Sequence, residues 1–580
     1  MFDTLPTDAR TVMAWEWSRF QPFYDDLAAR AVDADTVGAW LADWSRIARL
    51  LREAGSRISL AHDLDTRNAE AERRYFHYIE TIAPPADRAE QVLREKLLAS
   101  GLEPEHMAVP LRGMRAQAAL FREANLPLLV EEQKLGSRYD TIQGAQTVQW
   151  EGEEIPARRL RTVLEEPDRA RREAAWRAMH VRMLADRAAL DGVWTDLYAL
   201  RRRIAANAGH PDYRAYAWQA YRRFDYTPDD CLRFQEAIEA TCVPAAARLH
   251  ERHRVRLGLD RLRPWDLTDG SFGRPANPPG QPALAPYAET RELIAKSADI
   301  FRRLDPALGA HFDTMVAEDL MDIDNRTGKA PGGYCTYFPT ARRPFIYMNA
   351  VGVHDDVQTM LHEAGHAFHA FESAALPFVQ QQRAPMEFCE VASMAMELLA
   401  APYLAEGDDP LYSPAEAVQA RTAHLEQMLF FWPYMAVVDA FQHWAYTHPA
   451  EAIDPRRCDA EWAALTRRFI PAIDWSGLDD ELATGWHRKL HIFTVPFYYV
   501  EYGLAALGAA QVWQRSLADE RVALDGYRRA LTLGGTATLP ELFTAAGARF
   551  AFDEGTVGAV VADIEAALDA LEAQAERQPA

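Results

Sequence analysis

The chain has 580 residues, 49 % of them hydrophobic and 26 % charged, with a net charge of −22. That length can bury more than one structural unit, and the acidic balance argues against nucleic acid or an anionic membrane as partner, since both call for basic surfaces. No segment approaches the ~20 consecutive apolar residues of a membrane span, the N-terminus lacks a secretory pattern, and five cysteines without CxxC spacing suit a reducing cytoplasm.

Residues 12–125 are dense in Ala, Leu, Arg and Glu, and the apolar spacing within 41–54 and 87–102 predicts long packed helices. Near 141–160 the texture changes, and the segments around Glu151-Gly152-Glu153 predict a β-hairpin. Helices resume from 167 to about 240, with Arg201-Arg202-Arg203 as a solvated face. Residues 262–287 are rich in Pro and Gly and predict a long irregular loop. Because helix signals resume at Thr290, this loop is read as lying inside one domain, and the division expected is a helical domain over 1–200 and a second domain over 201–580. Gly328 to Gly333 lack the Lys-Ser/Thr end of a phosphate loop, so from pattern alone they read as a hairpin turn before strands at 334–338 and 345–349.

Residues 353–397 carry the chemistry. His362-Glu363-Ala364-Gly365-His366 lies among apolar residues at helical steps, including Val357, Met360, Leu361 and Phe368. Two imidazoles four residues apart stand about 40° apart around a helix, so both can reach one cation, with Glu363 beside it. Asp355 and Asp356 favour the first turn of that helix. The next segment is almost wholly apolar, yet Glu387, Glu390 and Glu397 recur on one side of it. Buried carboxylates need a partner. One Zn²⁺ held by His362, His366 and Glu390, with Glu397 orienting an imidazole, would supply it. A solvated acidic stripe is the plain alternative, and Glu387 fits either reading. Such a metal would activate a water whose proton Glu363 takes as general base.

Beyond Leu404 helices return, with Trp432, Trp444, Trp462 and Trp475 as core aromatics. His443 and His448 would point about 140° apart on a helix and are read as ordinary side chains. Pro496 suits a first helical turn. Tyr498, Tyr499 and Tyr502 follow at spacings typical of packing aromatics, and the chain ends in an acidic helical stretch with a fraying tail.

The His-Glu-x-Gly-His motif, followed by Phe388-Cys389-Glu390-Val391-Ala392-Ser393 and Glu397, resembles the M3 family of zinc metallopeptidases, most closely its oligoendopeptidase F branch. Ala392-Ser393-Met394 departs from the Pro-Ser-Gln of the thimet-oligopeptidase branch. The likeness covers most of residues 200–580. It implies a predominantly α, large multi-helix zincin fold with a small β-sheet beside the HExxH helix and a deep substrate channel. It also implies one Zn²⁺, a channel-lining strand near Gly332 and Gly333, and His491 and Tyr502 facing the metal. Tyr499 matches next, and Tyr498 is the candidate where some relatives carry a further tyrosine and this chain has Thr494-Val495-Pro496. The implied activity is cleavage of internal bonds in short peptides. A dipeptidyl carboxypeptidase of the angiotensin-converting type, which also places a Glu 24 residues after the second His, is the rival enzyme. A non-catalytic peptide-binding scaffold is the rival from another class. Oligomeric state is not legible.

Overall fold

Helices follow one another along almost the whole chain in a computed structural model that describes residues 1–277, 281, 283–330 and 332–577. The fold is predominantly α, and five short strands form two small sheets among the described residues. Strands β1 (Thr147–Trp150) and β2 (Glu153–Pro156) make the expected hairpin. Both residues at its tip, Glu151 and Gly152, have positive φ, as a tight two-residue turn demands.

Two compact units, each assembled from three segments, divide the chain. The first comprises Met1–Ala119, Leu284–Ala417 and Gly508–Phe550. Its N-terminal helices enclose an aromatic and aliphatic core that includes Phe20, Trp40, Leu41, Trp44, Ile47 and Leu93. The long helix Val37–Leu64 also packs on a three-stranded sheet of β3 (Met321–Asp324), β4 (Tyr334–Phe338) and β5 (Arg343–Ala350). Arg57 lies over the ring of Phe338, 3.9 Å from its centroid, and Glu53 accepts the backbone N–H groups of Thr340 and Ala341 at 2.8 and 2.9 Å. N-terminal residues thus share a core with the segment carrying the HExxH motif. The boundary expected near residue 200 falls inside the helix Arg187–Asn207.

Strand order in this sheet is β3-β5-β4, with β3 parallel and β4 antiparallel to the central β5. The stretch from Gly328 to Gly333 therefore is not a hairpin turn. It crosses from one outer strand to the other, and the true hairpin joins β4 to β5. Thr66 and Ala330 donate to the carbonyls of Gly328 and Asp63, at 2.6 and 2.8 Å, which pins the crossing against the end of the long helix. Pro331 lies outside the described residues.

The second unit comprises Leu120–Ala283, Val418–Leu507 and Ala551–Ala580. The Pro/Gly-rich stretch 262–287 contains a point where the chain passes between units, at 283/284, so it is not confined to one of them as expected. Residues 278–280 and 282 of that stretch, and the tail 578–580, lie outside the described residues. Its first part is not irregular in its bonding. Asp266, wholly buried, accepts from Arg169 at 2.8 Å and Arg172 at 3.1 Å. Trp432, Trp462 and Trp475 are buried as expected, whereas Trp444 is half-buried and stacks on His448. Arg201 corrects the reading of its basic run: it is buried, and its guanidinium reaches Glu132 at 2.7 Å and the Tyr446 hydroxyl at 3.0 Å, while Arg202 and Arg203 face solvent. A planar fork with five donors can be buried when each finds an acceptor.

One further expectation needs amending. The apolar run Met386–Ala405 is long and apolar enough by composition to cross a membrane. In the structure it is mostly buried inside the first unit and carries three glutamates.

Candidate metal centre

The motif lies on the helix His354–Ser373, with Asp355 and Asp356 in its first turn. Asp356 fixes the start of that helix by accepting the N–H groups of Val351, Gly352 and Val353 at 2.8, 2.8 and 2.9 Å, and the Tyr287 hydroxyl besides. Unsatisfied amides and the dipole at a helix N-terminus both favour a carboxylate there.

The second helix, Met386–Ala400, packs directly against the first. Gly365 makes that approach possible. A Cβ at this position would stand 2.6 Å from both the Ala392 carbonyl oxygen and the Ser393 Cα, closer than atoms can come. Tyr527, from the helix Glu520–Leu533, donates to that same Ala392 carbonyl at 2.8 Å.

Across this contact His362, His366 and Glu390 offer one ligand atom each, all within 4.8 Å of one another. Oε2 of Glu390 lies 3.4 Å from Nε2 of His362 and 3.6 Å from Nε2 of His366. Ligands bonded at ~2.0–2.1 Å to a tetrahedral ion stand about 3.3 Å apart, so a zinc-sized cation fits between them with small adjustments. The donor set also fits chemically. Nδ1 of His362 bonds to Oε1 of Glu397 at 2.7 Å, which fixes the ring and turns the other nitrogen towards Glu390. Ser393 donates to the Glu390 carboxylate at 3.2 Å. His362 and His366 keep 26 % and 21 % of their side chains exposed, so the group opens to solvent, as a site with a vacant coordination position must. Glu387 is buried on the same helix but outside this group.

Burial opposes charge on both imidazoles, with different outcomes. For His362 the hydrogen bonds to Glu390 and Glu397 outweigh burial and hold its pKa well above the usual value, whereas burial leaves His366 at about 4. Burial would raise Glu390, yet the hydrogen bond to His362 and the neighbouring imidazoles keep it below the ordinary carboxylate value. Glu363 behaves differently. Burial first, then repulsion from Glu390 and Glu397, push it up to about 7 against the attraction of His362. Its Oε2 is buried and has no hydrogen-bond partner among the described residues. A carboxylate poised near neutrality with an unanswered oxygen has the properties of a general base.

The remaining expected residues occupy two places. Gly332 and Gly333 are exposed just before β4, where Asn349 donates to the Gly332 carbonyl at 2.9 Å. His491, Tyr498, Tyr499 and Tyr502 belong to the second unit, and there they gather into one aromatic cluster. The His491 ring lies 4.9 Å from Tyr499, 5.9 Å from Tyr502 and 6.1 Å from Tyr498, centroid to centroid. Burial, with the nearby Lys489 cation adding, lowers His491 to about 3 and leaves it neutral.

Sequence reasoning missed the two arginines that brace this segment. Arg201 donates to the carbonyls of Ile492, at 3.1 Å, and Phe493. Arg223 reaches the Phe497 carbonyl at 2.6 Å and Glu501 at 2.8 Å. Phe497 has φ +68°, and that bond ties its carbonyl to Arg223. Neither arginine is separated from ordinary surface arginines by local pattern. His443 belongs to a second potential ligand group, with Cys231 and Asp439, although Asp439 already accepts Gln235 at 2.6 Å.

The sequence model of peptidase family M3 matches residues 162–560. No curated protein sequence matches. Among solved structures, PZ peptidase A with an inhibitor superposes with a TM-score of 0.85 at 26 % identity, over 98 % of this chain and 99 % of that one. A structure assigned as oligoendopeptidase F gives 0.86 at 27 % identity, over 98 % of both chains. Oligoendopeptidase-F from Enterococcus faecium shares the fold at 0.61 and 15 % identity, over 97 % of this chain and 98 % of that one.

Proposed function

The chain belongs to peptidase family M3, and on that footing we propose that it is a zinc-dependent oligoendopeptidase that cleaves internal bonds of short peptides. The observation that carries the chemistry is the unanswered, buried Oε2 of Glu363 on the same helix as two imidazoles that converge on Glu390. His362, His366 and Glu390 would hold one Zn²⁺. When bound, that ion lowers the pKa of a water and polarises the scissile carbonyl.

Glu363 takes the proton of the attacking water and passes it to the leaving nitrogen, a transfer suited to a buried carboxylate with an unpartnered oxygen. Glu397 keeps the ring of His362 aligned while charge moves nearby. By resemblance to the family, Tyr502 is the donor to the carbonyl oxygen as it gains charge, with His491 assisting. Removing one such donor typically costs ~10² to 10³ in rate. The exposed edge near Gly332 and Gly333 is the proposed place for an extended peptide to pair by main-chain hydrogen bonds. Free thiols at all five cysteines support a cytoplasmic enzyme.

The test is hydrolysis of quenched fluorescent peptides together with measured zinc content, with Glu363→Gln as control. Zinc-loaded wild type should cleave and the variant should not. Equal inertness of both across a broad peptide library would leave only a peptide-binding scaffold. Cleavage confined to the penultimate bond of peptides with a free C-terminus would favour the dipeptidyl carboxypeptidase.

A further inference from the structure

The second unit contains a cavity of about 350 Å³ whose charge runs against that of the whole chain. Its walls include Arg158, Arg161, Arg488 and Lys489, and Asp269 is the one carboxylate among the described lining residues. None of the four cations forms an ion pair among the described residues, although ion pairs are numerous elsewhere in this acidic protein.

Each element holds its cation open towards the cavity for a local reason. Arg158 and Arg161 stand three apart on the 3₁₀ segment Ala157–Glu165, where residues i and i+3 eclipse and so share a face. Arg488 donates to Nε2 of His180 at 2.6 Å, and Nδ1 of His180 bonds to the Trp176 carbonyl at 2.9 Å. Burial and the Arg488 charge keep His180 neutral, so it orients the guanidinium without cancelling it. Lys489 donates to the Tyr499 hydroxyl at 2.7 Å and lies 4.0 Å from the centroid of that ring, a seat of π-electrons in place of a carboxylate. Asp269 cannot balance the four. It is one charge against four: its Oδ1 accepts the N–H groups of Ser271, Phe272 and Gly273 at 2.9, 3.0 and 2.9 Å, and its buried Oδ2 has no hydrogen-bond partner among the described residues. A stacked pair, Phe272 on Tyr434 at 3.6 Å, supplies an apolar wall.

We infer that this cavity receives a carboxylate of the peptide substrate, gripped by Arg158, Arg161, Arg488 and Lys489. The inference rests on the peptidase reading above and adds a substrate class to it. The link to that reading is Tyr499, which takes the Lys489 ammonium on its hydroxyl and packs its ring on His491 and Tyr502, at 4.9 and 5.7 Å. A carboxylate in the cavity is therefore tethered one side chain away from the residues expected to attend the scissile bond. Three guanidinium forks and an ammonium match an oxyanion better than any neutral group. Burial, which lowers Lys489 to about 7, would be offset by the incoming negative charge. The carboxylate has two sources, the C-terminus of the peptide or an Asp or Glu side chain.

The experiment uses three N-acetylated hexapeptides built from neutral residues. One has a free C-terminus, one is amidated, and one is amidated with a single Gln replaced by Glu. Binding is read by calorimetry on full-length Glu363→Gln protein, and kcat/KM on wild type. At least one of the two anionic peptides should bind about 10-fold or more tightly than the neutral one, the gain expected of a charge-assisted contact. Arg158→Gln combined with Arg161→Gln, two exposed positions whose change should leave the fold intact, should shrink that ratio to about twofold or less. The conservative pair Arg158→Lys with Arg161→Lys should retain most of it. A gain for the free C-terminus alone identifies the terminal carboxylate, and a gain for the Glu peptide alone identifies the side chain. A ratio near one in the parent protein, or one that the double Gln variant leaves intact, overturns the inference. Absence of hydrolysis by wild type would instead count against the peptidase reading, because the calorimetric ratio is obtained without turnover.

Discussion

The helix pair of the first unit and the basic cavity of the second both gather charged groups, but by opposite means. In the helix pair opposite charges face one another: two imidazoles meet Glu390 and Glu397, while the Glu363 carboxylate keeps an oxygen with no hydrogen-bond partner among the described residues. In the cavity like charges crowd together: burial lowers the pKa values of both Arg488 and Lys489, and the Arg161 charge adds to the effect. The first arrangement is complete enough to persist by itself and to accept a cation with little rearrangement. The second is stabilised only when something negative arrives. A balanced cluster thus points to a resident ion, and an unbalanced one to a transient ligand.

Glu390→Ala removes the counter-charge that both imidazoles share, so zinc content measured after dialysis should fall to background and peptide hydrolysis with it. Glu363→Gln should retain zinc yet lower kcat by ~10² to 10⁴, since only proton transfer is lost. Glu397→Gln weakens the acceptor that orients His362, and zinc affinity measured by chelator competition should fall ~10- to 100-fold. Gly365→Ala forces the two helices apart, and chemical denaturation should show a loss of about 1–3 kcal/mol, with zinc affinity reduced as well. The smallest effect belongs to the cavity. Lys489, lowered to about 7 by burial, with Asp269 opposing and Arg161 reinforcing that shift, is charged below that pH and neutral above it. Binding of an anionic peptide to Glu363→Gln protein should therefore weaken by a few-fold between about pH 6 and about pH 8.5, and Lys489→Met should flatten the profile.

Local spacing explains what could be read from the sequence. The imidazoles, their companion glutamates and the hairpin at Glu151-Gly152 are encoded within a turn or two of one element, and the helices and strands that carry them form where local spacing predicts them. What escaped has no short-range period. β3 is only four residues long and pairs in parallel with a strand more than twenty residues away, so the glycines after it resembled a turn. Arg201 sits in a run of three arginines and differs from its neighbours through Glu132, Tyr446 and the carbonyls of Ile492 and Phe493, all distant in sequence. The cavity draws its cations from two separate stretches, 158–161 and 488–489, and its shape from others around His180, Asp269 and Tyr434. Composition misleads once: the glutamate-bearing helix is apolar enough to pass for a membrane span because it is a core helix that also carries Glu390.

The missing side chain at position 365 has a consequence for how this protein would respond to random substitution. A saturation library there should penalise every replacement, Ala least, so its tolerance profile would resemble those of His362 and His366 although the residue touches no ion and moves no proton. Intolerance at that site would report crowding between two backbones, so a scan of this region separates scaffold from chemistry only when each variant is scored twice, once for folding and once for turnover.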